Sequence, residues 1–174
     1  MESLSFLPWV GDKYHHSRFG VKVLVLWASH YAEGPVSREF TQQVVRELGI
    51  EGRHRSFIKI IKILLNIGRG YISDDEKADA WRHVAFYNFV PDIVGTSRSA
   101  QPTAEMWERG KPQLLSVLEK LKPDVLLVLG CKTAEHLPEL PSNMAVAKIN
   151  DPSRVAYKDS HPAFQQALSE AGHK

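Results

Sequence analysis

Four runs of this chain are almost wholly apolar, and each carries or gives way to polar chemistry. Val23 to Leu26 breaks directly into Trp27-Ala28-Ser29-His30-Tyr31. Phe86-Tyr87-Asn88-Phe89-Val90 holds an Asn inside an aromatic and β-branched stretch. Val125 to Leu129 ends in Gly130-Cys131-Lys132, and Met144 to Ile149 ends in Asn150-Asp151-Pro152-Ser153-Arg154. Short apolar runs bounded by turn formers read as buried strands. The predicted strands are about Val21–Leu26, Ala85–Val90, Val125–Leu129 and Met144–Ile149, with Pro91 limiting the second.

Between the strands the apolar period lengthens to that of helices. Phe40, Val44 and Leu48 recur every four residues behind a capping Ser37, with Gly49 as the end. Ser56 to Ile67 puts Lys59, Lys62 and Asn66 on one face and Phe57, Ile60, Ile61, Leu64 and Leu65 on the other, with Gly68 and Gly70 as stops. Ser73 followed by Glu76 forms a capping box for a short helix carrying Trp81. Thr103 caps a helix with Met106 and Trp107. Pro112 suits the first turn of a further helix, with a stripe of Leu114, Val117, Leu118 and Leu121 that ends at Lys122-Pro123. Thr133–Leu137 is a short helix, and Ser160-His161-Pro162 caps a last one holding Phe164 and Leu168. Residues 1–20 read as irregular, though Phe6, Leu7, Trp9 and Val10 give them apolar area to pack on the domain. Parallel strands need such crossovers, and helices on both faces explain strands that are apolar throughout. The expected fold is α/β: one domain over residues 1–174, a three-layer α/β/α sandwich with a central parallel sheet of about four strands. Polar groups at several strand ends suggest one crevice at the carboxyl edge of that sheet.

Composition narrows the function classes only modestly. A chain of 174 residues can bury a core without staples. The single cysteine, Cys131, excludes an intrachain disulfide and a cysteine-rich zinc site, and fits a reducing, cytoplasmic setting. The start, Met1-Glu2-Ser3-Leu4, lacks the basic residues and apolar run of a signal peptide. The most apolar stretch, Phe57 to Ile67, is too short and too charged to span a bilayer, so no membrane partner is expected. A formal net charge of +2 does not demand a polyanionic partner. Local clusters, above all Arg53, His54, Arg55, Lys59, Lys62 and Arg69, read either as a solvated helix face or as a phosphate-facing surface.

Several motifs are excluded. Gly130-Cys131-Lys132-Thr133 lacks the glycines and spacing of a phosphate loop. No Gly-rich dinucleotide fingerprint follows the first strand. There is no His-x-x-x-His or Cys-x-x-Cys pair and no Gly-x-Ser-x-Gly elbow, and Ser29 beside His30 is no triad. Neither a metal nor a cofactor is expected.

The order, spacing and strand placement of the remaining motifs resemble the uracil-DNA glycosylase superfamily, specifically its small divergent bacterial branch. The resemblance runs from Phe6-Leu7-Pro8-Trp9-Val10-Gly11 to the last helix. It implies an α/β/α domain that flips uracil out of DNA and hydrolyses its glycosidic bond without metal or cofactor. Trp27-Ala28-Ser29-His30-Tyr31 matches the family's first motif, Asn88 its strand-borne uracil-reading Asn, and Asp151-Pro152-Ser153 its late His-Pro-Ser motif. Four positions depart from the family pattern, and two of them, Trp27 and Ala28, stand at its glycine and its acidic or amide position. Ser29 stands where the best-known members carry a water-activating Asp, and Asp151 stands where the late motif carries its catalytic His.

The resemblance assigns catalytic positions to Asn88, Ser29 and Asp151, and imidazole chemistry adds His30, which stands where the family usually carries a shaping proline. The resemblance assigns base contacts to Tyr31, Phe57 and Ala28, and DNA contacts to Ser153, Arg154 and Val155. The chemistry of the side chains agrees in part. An amide offers a donor and an acceptor side by side, which matches uracil's carbonyl and imide hydrogen. Tyr31 resembles the wall that excludes thymine's methyl group. His30 is the nearest titratable group to the first motif, and Asp151 is either a water-orienting carboxylate or a turn cap. Phe57 or Phe40 is a candidate to stack on the base, each fitting a core-facing stripe equally well. Val155 matches the family's apolar wedge. The expected activity is that of a monofunctional uracil-DNA glycosylase, a monomer whose partner is uracil-containing DNA. The substitutions at Ser29 and Asp151 keep open a non-catalytic module for uracil-containing or damaged DNA, or a glycosylase for another damaged base.

Overall fold

All four apolar runs form strands of one sheet in the computed structural model, which describes residues 4–97 and 99–172. Residues 1–3, 98, 173 and 174, which the expected domain spans, lie outside that description. The strands are β1 (Trp9–Val10), β2 (Val23–Trp27), β3 (Val84–Asn88), β4 (Val125–Leu129) and β5 (Ala145–Ile149). They lie in the order β1-β3-β2-β4-β5. Strands β2 to β5 are mutually parallel, and β1 is antiparallel to β3. The sheet is therefore mixed and five-stranded, one strand more than the apolar runs suggest. The extra strand comes from the segment read as irregular. Two residues are too few for a period to register, yet Trp9 pairs with Phe86 and its indole N–H donates to the Trp81 carbonyl at 2.9 Å.

Side-chain alternation splits the sheet into two buried faces. Val23, Val25, Val84, Phe86 and Leu127 pack beneath α2 (Arg55–Leu64), α3 (Asp74–Arg82) and α6 (Tyr157–Gly172). Leu24, Leu26, Tyr87, Leu126 and Val128 pack beneath α4 (Ala104–Leu121). With α1 (Phe40–Val44) and α5 (Cys131–Glu135), six helices flank the sheet in a three-layer α/β/α arrangement.

Several helix limits differ from the sequence expectation. The helix after β2 does not stop at Gly49. It runs on from α1 as a π-helical turn over Val45–Glu51, with Gly49 buried inside it because Trp81 packs where a side chain would stand. The cap is Glu39 rather than Ser37, whose backbone carbonyl only accepts from the Phe40 N–H at 3.1 Å in the preceding turn, and Leu48 is exposed rather than core-facing. Helix α2 ends at Leu64, not Ile67. Asn66 takes a left-handed φ of 57°, and the Ile67 and Asn66 N–H groups close back on the Lys62 and Ile63 carbonyls. That is a Schellman closure, so Gly68 and Gly70 lie beyond the stop. The capping boundaries at Ser73 and Thr103 are as expected, each hydroxyl accepting from the third residue on.

The two prolines read as helix starts both lie inside helices. Helix α4 passes unbroken through Pro112, with Trp107 and Gly110 buried before it and Leu114 and Val117 after it. Burying both halves on one face outweighs the roughly 3 kcal/mol cost of an interior proline. Helix α6 starts at Tyr157, because the Ala156 carbonyl accepts from the Ser160 N–H and hydroxyl, both at 3.0 Å. Ser160 is therefore inside the helix, and Pro162 costs it one bond near its start. The buried Lys77 makes a join that no apolar period reveals. Its ammonium donates to the Gly52 carbonyl at 2.6 Å and pairs with Asp74 at 3.0 Å, tying α3 to the end of the π-helical turn.

Candidate functional site

The chain goes from β2 outward to β3 and then returns to the far side of β2 to form β4. Loops leaving β2 and β4 must therefore diverge, and ligands in open α/β sheets bind at such a switch point, outside the carboxyl strand ends. The polar strand-end residues noted in the sequence surround that place.

Trp27, the last residue of β2, and Asn88, the last of β3, are register partners. By alternation both follow Val25 and Phe86 onto the face covered by α2. Asn88 is only 4% exposed, and its side-chain carbonyl oxygen has no hydrogen-bond partner. A buried amide oxygen left unpaired costs about 1–3 kcal/mol, so it marks a site that demands explanation. Trp27 is half-buried, and its indole N–H donates to Asp151 Oδ2 at 2.9 Å. The other oxygen, Oδ1, accepts from the Ser153 N–H at 2.8 Å and the Ser153 hydroxyl at 2.6 Å. Asp151 is thus both a turn cap and a clamp on Trp27. Three donors occupy most of the acceptor capacity of one carboxylate.

Beyond β2 and β3 the two following loops run side by side. The N–H groups of Phe89 and Val90 donate to the Trp27 and Ala28 carbonyls, and those of Val94 and Ala32 to the His30 and Gly95 carbonyls. This pairing fixes the first motif. Ala28 contributes a half-buried methyl, and the Ser29 hydroxyl lies 3.5 Å from that of Tyr31, a marginal bond between two half-buried groups. His30 points elsewhere. Its ring is 3% exposed, packs edge-on against Phe6 and Phe40, and meets the Thr41 hydroxyl at 2.8 Å. Burial lowers its pKa to about 4, so it is neutral at pH 7.

Phe57 is buried among Trp27, His54, Trp81 and Phe86, with ring centroids 5.7–6.0 Å away. Phe40 packs edge-on to His30 and tilted against Phe6. The half-exposed aromatic ring over Phe57 is that of Trp27, whose apolar neighbours in sequence suggest a structural residue. Of the late loop, Ser153 and Arg154 are exposed. Val155 is half-buried, and lines a cleft of about 370 Å³ with Cys131, Lys148, Asn150 and Asp159.

The structure thus brings Trp27, Asn88, Asp151 and Ser153 to one end of the sheet, places Ser29 and Tyr31 on the adjoining loop, and puts His30 and Phe57 into packed surroundings. No sequence signal announces the Trp27–Asp151 bond, since it joins side chains 124 positions apart. Among the described residues no cluster of His, Cys, Asp and Glu could hold a metal ion, and no helix is long and apolar enough to cross a membrane. The chain matches no family model and no curated protein.

Proposed function

We propose that the protein is a DNA glycosylase that hydrolyses the N-glycosidic bond of uracil in DNA. The observation that carries this reading is the unpartnered carbonyl oxygen of Asn88, buried at the carboxyl end of β3. Uracil's imide N–H completes that acceptor, and the amide nitrogen donates to the neighbouring carbonyl of the base. The base reaches the crevice extruded from the helix, which costs least where it is mispaired or single-stranded. Scission of the C1′–N1 bond leaves the electron pair on the base, and the Asn88 amide stabilises the resulting anion. Water bonds to C1′ and gives up a proton, and the base takes up one on release. Asp151 acts here as a positioning residue that fixes Trp27 and the Ser153 turn, while neutral His30 braces the first motif.

Incubation with a single-uracil oligonucleotide, followed by alkaline cleavage of abasic sites, tests the proposal. Product is expected in at least one of the mismatched, paired and single-stranded contexts. Its absence in all three at protein excess sinks the reading. Asn88→Asp keeps the size but places a charge beside an anionic leaving group, and should slow single-turnover cleavage on the order of 10²-fold or more. An unchanged rate in the folded variant removes Asn88 from the site.

A second reading, a module that binds such DNA without cutting it, draws on the engagement of both Asp151 oxygens by Trp27 and Ser153. Selective binding of uracil-containing over uracil-free DNA without cleavage would favour it.

A further inference from the structure

Some cations of the described residues pair with carboxylates and others do not. Lys13, Arg18, Arg53, Arg82, Arg109 and Lys111 each sit 2.6–3.4 Å from a carboxylate. Among the described residues, Lys22, Arg46, Lys62, Arg69, Lys120, Lys122, Lys132 and Lys148 form no such pair, and neither do four more, Arg55, Lys59, Arg154 and Lys158. These four occur together in space although 99 positions separate Arg55 from Arg154. Lys59 Nζ donates to the Ser153 carbonyl at 3.4 Å, which joins α2 to the late loop. The charge of Arg55 acts on the Tyr157 hydroxyl at the start of α6, and Lys158 is the next residue. Helices α2 and α6 pack side by side. The four cations therefore follow one continuous rim: the first turns of α2, the 153–155 loop and the first turn of α6. Arg55, Arg154 and Lys158 are exposed, and Lys59 is half-buried with its ammonium at the loop. Two carboxylates lie along this rim. Asp151 is held by Trp27 and Ser153, and Asp159 lines the cleft beside Cys131 and Lys148. Lys62 extends the rim one turn down α2.

The basic stretch around position 55 is thus split by the fold. Arg53 leaves it, bonding Asp74 at 2.8 Å and lying over the Tyr71 ring, while Arg55 and Lys59 face the crevice side. Four cations that share one rim and pair with no carboxylate are placed for a polyanion rather than for self-pairing.

We propose that this rim is the track for the DNA backbone: the strand on one side of the crevice crosses the start of α2 and the start of α6, with Arg55, Lys59, Arg154 and Lys158 each neutralising a phosphate. The assignment rests on the glycosylase reading for the identity of the polyanion, but not for the chemistry of contact. Contacts of this kind position a duplex without reading its sequence.

The test uses the full chain and a labelled duplex without uracil, followed by fluorescence anisotropy across a salt series. Each phosphate contact contributes about 0.9 to the slope of log affinity against log salt. Arg55→Gln/Lys59→Gln and Arg154→Gln/Lys158→Gln should each flatten the slope by about 2 and weaken low-salt binding by about tenfold or more. Arg109→Gln/Lys111→Gln, on the paired population of α4, should leave the slope unchanged. Lys59→Arg should keep the parent slope where Lys59→Gln flattens it, which separates charge from any local packing effect. If the parent binds with a steep slope that neither rim variant changes, the DNA crosses elsewhere and the proposal is overturned. Absence of salt-dependent binding by the parent overturns it as well, as does markedly tighter binding to an RNA duplex of the same sequence. If the rim variants flatten the slope while the parent excises no uracil, the rim stands and the glycosylase reading falls.

Discussion

A neutral imidazole sits at position 30, and its burial has a pH signature. The ordinary His value of 6.5 falls to about 4 in the folded chain because the ring is desolvated. Between those values the unfolded chain binds a proton that the folded chain refuses. Stability is therefore full above about pH 6.5 and declines as the pH drops toward 4, by about 3 kcal/mol for the whole shift. The pKa of His83 is also lowered, chiefly by burial, and adds in the same sense. Urea unfolding of the parent and of His30→Gln at pH 7.5, 6 and 5 should show a shallower loss in the variant. Equal losses would place the titration elsewhere. The place of a residue at a strand end is legible in the sequence where a polar side chain interrupts an apolar run, as at Asn88, or follows one, as at Asp151. A residue's chemistry is not legible where the decisive partner is distant along the chain. The Thr41 hydroxyl and the rings of Phe6 and Phe40 turn His30 from a candidate acid–base group into a packed one.

At the scale of elements, the strands are the most readable features, because runs buried on both faces need no periodic partner. Helix ends are less so. Gly49 and Gly68 look alike as sequence punctuation, yet one is packed and the other free. A methyl at Gly49 would stand 2.7 Å from Trp81 Nε1, whereas nothing lies within 4 Å of one at Gly68. Gly49→Ala should therefore cost about 1–3 kcal/mol by overpacking. Gly68→Ala should be neutral or stabilise by about 0.4–1 kcal/mol through the unfolded chain. Denaturant midpoints of the two variants decide the matter, and equal values would show that the π-helical turn gives way around the added methyl. Pro112 and Pro162 mislead for a related reason. A proline's local cost is fixed by its own ring, while its position in a helix is decided by what both flanking halves bury.

At the scale of the molecule, alternation of strands and helices is enough to read a layered α/β domain, but not its strand order. Order depends on which edge each crossover takes, and no residue type encodes that directly. The order matters because it sets a switch point between β2 and β4, where the loops after the two strands diverge. The same order leaves β3 nearly at the margin of the sheet, with every residue buried. Its outer side is screened by the two residues of β1 and by the Gly11 N–H, which donates to the Val84 carbonyl at 3.0 Å. An unscreened apolar strand is a template for pairing with other molecules. The expectation is that solubility depends on this very small patch of backbone. Gly11→Pro removes that N–H and crowds the Arg82 carbonyl, and should unseat β1. Light scattering and size-exclusion chromatography should then find larger species growing with concentration, with helical circular dichroism largely kept. A variant that stays a single small species would show that the edge is guarded by something else. The same exposure would arise in any homologue or fusion that displaces the first dozen residues, making that stretch a determinant of aggregation rather than a dispensable appendage.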